Sequence, residues 1–85
     1  MSEITRFYGI FIKLFLTEKN NPPCFYGEYD AFWGSFDIQT LEMIEGNLPE
    51  RVQMFIKEWG SQYKSEILRM WYTRKLKKLP PLEVV

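Results

Sequence analysis

The chain has 85 residues, 46% of them hydrophobic, a size that reads as one small α+β domain whose core must be efficient or borrowed from a partner. Eleven basic and eleven acidic residues cancel, there is no histidine, and there is a single cysteine. These counts exclude an intramolecular disulfide and remove the commonest neutral-pH base and zinc ligand, so no metal site and no cofactor are expected.

Seven Phe, five Tyr and three Trp supply large buried areas, each side chain worth about 2 kcal/mol or more when fully desolvated. One unpaired cysteine fits a reducing compartment, and the expected location is bacterial cytoplasm. Arg6 and Lys13 flank only Phe7 to Ile12, too short for a signal peptide's apolar segment, and no run approaches the length of a membrane span. No membrane partner is expected.

From Ile4 to Leu16 the chain is rich in aromatic and β-branched residues and reads as a first strand. Alternation puts Tyr8, Ile10, Ile12, Leu14 and Leu16 on one face, and Phe7, Gly9, Phe11, Lys13 and Phe15 on the other. Both faces are largely apolar, which fits a central strand covered on two sides or an open face that a partner covers. Glu18 to Pro23 is a loop, because Asn tolerates left-handed backbone and the proline pair removes donors.

A second strand is read from Cys24 to Tyr29 and a third from Phe32 to Ile38, joined by a turn at Asp30 and Ala31. On the third, Phe32, Gly34, Phe36 and Ile38 face one way and Trp33, Ser35 and Asp37 the other. Leu41 to Ile44, ended by Gly46, gives a short fourth strand, so the antiparallel meander spans 4–46 with three to four strands.

Pro49 suits the first turn of a helix and Glu50 its positive end. Val52, Phe55, Ile56, Trp59, Tyr63, Ile67, Met70 and Trp71 then form one stripe, giving a long amphipathic helix over 49–75. Gly60 bends it or splits it in two. Residues 79–85, marked by Pro80 and Pro81, form a tail.

The run Thr5, Arg6, Phe7, Tyr8, Gly9, Ile10, then Asn21, Pro22, Pro23, then Glu28, Tyr29, is followed by Asp37, Ile38, Thr40, Leu41, Glu42, Glu45, Gly46, Leu48, Pro49. With Glu58, Trp59 and Trp71 it resembles a bacterial domain-of-unknown-function family, number 4160, over nearly the whole chain. In that family the segment after the two prolines typically reads H-x-H, the natural place for metal binding or acid/base chemistry. Here Cys24 and Tyr26 stand there, and a phenol with a pKa of about 10 replaces imidazole badly in either role. Genes of this family often lie beside another small gene, an arrangement like that of toxin-antitoxin pairs.

Arg6, Cys24, Tyr26 and Glu28 are the candidate catalytic set, since an Arg with a carboxylate can grip phosphate or serve RNA cleavage. The competing reading is an Arg6 to Glu28 cross-strand ion pair with Cys24 as a buried hydrophobe. Trp33, on a polar face, is the candidate interaction residue. Trp59 and Trp71, on the helix stripe, are core.

Residues 28 to 58 are acidic and residues 64 to 78 basic. Arg74, Lys75 and Lys77 could contact an anionic partner, although cations in a last helical turn also simply complement its dipole. The leading expectation is a non-enzymatic protein-interaction module, one component of a toxin-antitoxin-like pair, binding a small protein partner or its own copy. The alternative is an RNA-directed toxin or nucleic-acid-binding protein that uses Arg6, Tyr26, Glu28 and the basic helix end.

Overall fold

The expected first strand is interrupted after Phe7. In the computed structural model, which describes residues 3–16 and 22–83, β1 (Glu3–Phe7) turns back at Tyr8 and Gly9 into β2 (Ile10–Lys13). Both turn residues have positive φ, 50° and 76°, the combination whose twist matches a two-residue hairpin. The faces are rearranged accordingly. Phe7, expected opposite Ile10, lies in the core with it, and Tyr8 is exposed. A register shift between Glu3 and Thr5 lets Ile4 also reach the core.

β3 (Cys24–Tyr29), β4 (Phe32–Asp37) and β5 (Met43–Gly46) complete a five-stranded antiparallel meander in chain order. The last strand begins two residues later than the sequence suggested, because Leu41 takes a left-handed conformation, φ 65°, in the preceding turn. Asp37 stabilises that turn: its Oδ1 accepts from the backbone N–H of Gln39 and of Thr40. Of the loop read at Glu18 to Pro23, residues 18–21 lie outside the described residues.

Pro49 occupies the N-cap position, one residue before α1 (Glu50–Thr73), whose stripe Val52, Ile56, Trp59, Ile67, Met70 and Trp71 is buried against one face of the sheet, with Phe55 and Tyr63 of the same stripe half-buried. Close approach is possible because Gly27 and Gly34 sit opposite each other beneath Ile56 and Leu48; a Cβ on Gly27 would lie 2.6 Å from Ile56 Cδ1. Trp59 is fully buried, tilted against Phe7 and edge-on to Phe25. Gly60 does not bend the helix. It is buried facing Leu41 and Phe25, and the irregular residue is Tyr63, at φ −118° and ψ 18°.

The helix ends at Thr73, before the expected Lys75. Arg74 takes φ 59°, ψ 35° and its N–H donates to the Met70 carbonyl, a left-handed stop. Lys75 and Lys77 therefore lie beyond the helix, and its last turn holds no basic residue, so the dipole account of these cations fails. The segment beyond is packed down. Leu79 N–H donates to Ile4 O, Trp59 Nε1–H to Pro80 O and Lys78 Nζ to Glu3 O, while Leu79 and Leu82 are buried. The tail thus finishes the core and runs along the outer edge of β1; its Val84 and Val85 lie outside the described residues.

Candidate interaction face

Residues directly opposite each other in an antiparallel pair project to the same side, so the register maps the face turned away from α1. One row crosses the sheet as Arg6, Phe11, Glu28 and Trp33. The next runs Glu3, Lys13, Tyr26, Ser35 and Glu45, with Cys24 opposite Asp37 beyond it. Phe15 joins this face through its ring, edge-on to Tyr26 at 5.2 Å.

Aromatic and charged groups are interleaved here. The Arg6 guanidinium stacks over Phe11, 4.4 Å from the ring centroid, and its Nη2 reaches Glu3 Oε1 at 3.1 Å. That hydrogen bond holds the Glu3 carboxyl below the usual carboxylate range, against a smaller opposing effect of desolvation. Lys13 Nζ sits 3.0 and 3.1 Å from the two Glu28 oxygens. Trp33 is 44% exposed while its backbone is tied to Asn47 on both sides: N–H donates to Asn47 Oδ1, and the carbonyl accepts from Asn47 N–H. The ring projects from a fixed strand into solvent, the arrangement of a low-entropy anchor.

The predicted site residues are partly brought together. Arg6, Cys24, Tyr26, Glu28 and Trp33 all lie on this face, but the anticipated Arg6 to Glu28 ion pair does not form. β2 stands between them, and Lys13 takes Glu28 while Glu3 takes Arg6. Cys24 is buried, as a small hydrophobe would be. Phe11, Lys13 and Phe15 complete the surface. Their alternation placed them together in the sequence, yet nothing there distinguished an exposed face from a doubly covered one.

The basic segment meets this face only at its β1 edge, where Lys78 reaches Glu3. Arg74 stacks on Trp71 at 4.7 Å and donates to Leu16 O, and Lys77 pairs with Glu66 at 2.6 Å. Among the described residues no group of three or more His, Cys, Asp or Glu is placed to hold a metal ion, and no helix is long and apolar enough to cross a membrane.

A five-stranded meander with one long helix on one face and an aromatic, charge-studded surface on the other defines a small α+β protein built around an open sheet. The chain belongs to the family described as a domain of unknown function (DUF4160), whose model matches residues 9–72. No curated protein and no solved structure gives a significant match.

Proposed function

We propose that this chain is a non-enzymatic protein-interaction module that binds a small protein partner across the helix-free face of its sheet, as one half of a toxin-antitoxin-like pair. The observation that carries this reading is the exposed Trp33 in a row with Phe11 and Glu28, beside Phe15 and Tyr26. Aromatic anchors on rigid strands, surrounded by charge, are the composition of a binding hot spot.

Charge selects the kind of occupant. Among the described residues, three cations, Arg6, Lys13 and, at the β1 edge, Lys78, stand against four carboxylates, Glu3, Glu28, Asp37 and Glu45. A net-negative surface repels nucleic acid and disfavours stacking on a second copy of itself, so the complementary partner is a protein surface that is apolar and net basic. The alternative, an RNA-directed toxin using Arg6, Tyr26 and Glu28, draws its support from their shared face, but both charged members already have close partners.

Inducible expression with and without the product of the adjoining gene tests the reading, with co-purification as the readout. A complex is expected that Trp33→Ala weakens about thirtyfold while leaving the fold intact, the scale of a truncated anchor. A chain that stays monomeric and forms no complex with that product refutes it, as does a homodimer held by this face. Growth arrest relieved by Arg6→Ala or Glu28→Ala in folded protein would establish the RNA-directed alternative. Salt-sensitive RNA or DNA binding lost on charge reversal at Lys75 and Lys77 would instead establish a nucleic-acid binder.

A further inference from the structure

At the turn end of the sheet, away from the aromatic face, Tyr8, Ile10 and Tyr29 meet Arg51, Val52 and Phe55 of the first two turns of α1 around a half-open groove of about 450 Å³. That volume lies in the range of small-molecule sites. We infer that this groove binds a small planar monoanion, an aromatic ring bearing one carboxylate.

Three features select that chemistry. The walls are aromatic and aliphatic: Tyr8 lies against Phe55 with ring centroids 5.4 Å apart, and Tyr29 and Val52 complete the lining. A flat apolar ring fills such a slot better than a hydrated chain. The single charged lining residue is Arg51, whose guanidinium lies 5.8 Å from the Phe55 ring centroid and has no carboxylate within ion-pair distance among the described residues. Its planar fork matches one carboxylate bidentately. One guanidinium in a mostly apolar slot balances one negative charge, whereas a phosphate near its second ionisation would leave charge uncompensated.

Access is built in as well. Tyr8 is 52% exposed at positive φ on the hairpin turn, so its ring forms a rim rather than part of the packed core. The turn at Gly9 lies over Tyr29, where a Cβ would meet the ring at an ordinary contact distance of 3.6 Å.

The test is an amide chemical-shift titration of the full chain with 4-hydroxybenzoate, neutral 4-hydroxybenzyl alcohol and cationic 4-hydroxybenzylamine. Saturable shifts are expected at Tyr8, Gly9, Tyr29 and residues 51–55, with the acid bound about tenfold or more tighter than the alcohol, as a hydrogen-bonded charge pair requires. Arg51→Gln should abolish that difference while leaving alcohol affinity within about twofold. Arg51→Glu should reverse the preference towards the amine, and Tyr8→Ala should weaken acid and alcohol alike. No saturable shifts at millimolar concentration, shifts confined to another surface, or equal affinity for the three probes would overturn the inference.

Discussion

Gly46→Ala probes how β5 is attached. Gly46 has φ 129°, a backbone conformation that side-chain-bearing residues rarely adopt, and it lies directly opposite Gly34. A Cβ built there collides with Trp33 O and Gly34 Cα and lies 3.1 Å from Gly34 N. All three are backbone atoms, so no side chain can swing aside. Strain of this kind costs about 1–3 kcal/mol. Relieving it by withdrawing β5 also breaks one or both of the neighbouring Trp33–Asn47 hydrogen bonds, each worth about 1 kcal/mol. The expected loss is about 2–5 kcal/mol, a large share of the stability of a chain this size. In urea or thermal unfolding that corresponds to a fall in Tm on the order of 10 °C or more. A variant within about 0.5 kcal/mol of the parent would refute the geometry argued for this turn.

Two further outcomes follow from the C-terminal segment. Leu82→Ala should cost about 2 kcal/mol in chemical denaturation, the low end for a buried leucine because a surface strap can partly collapse; a change near zero would mean the segment is not part of the core. The hydrogen bond from Lys77, then its charge, hold the Glu66 carboxyl below the usual carboxylate range. A lowered folded-state value means the tether is present at neutral pH and is lost as pH falls through that value. A carbon-detected titration should place the Glu66 midpoint below the usual carboxylate range, and Lys77→Gln should return it there; equal midpoints in the two proteins would dismiss the tether.

The helix and its buried stripe were legible because a 3.6-residue period repeats through many turns. Val52, Ile56, Trp59, Ile67, Met70 and Trp71 are buried, as their spacing demanded, while Phe55 and Tyr63 at the stripe's margin are half-buried. The first hairpin was hidden for the opposite reason. Tyr-Gly is a weak turn signal among β-branched and aromatic neighbours, and one missed turn exchanges the faces assigned to Phe7 and Tyr8. Prolines made the segment after Lys78 look like a loose tail, yet Leu79 and Leu82 are core, because burial of two isolated leucines has no period to read. For the candidate site, alternation found Trp33, but which carboxylate takes which cation depended on strand order. β2 lies between β1 and β3, and that ordering decides the Glu3–Arg6 and Lys13–Glu28 pairs.

The contact between Ile4 O and Leu79 N–H joins positions near opposite ends of the described chain. Closing a long loop costs entropy that only the contacts made after closure return, so this contact gains from a meander and a helix already in place. Without the segment around Leu79 docked, the outer edge of β1 offers unpaired backbone, the Ile4 carbonyl among it. In that state the edge is a template for another strand, and docking of Leu79 against it takes that template away.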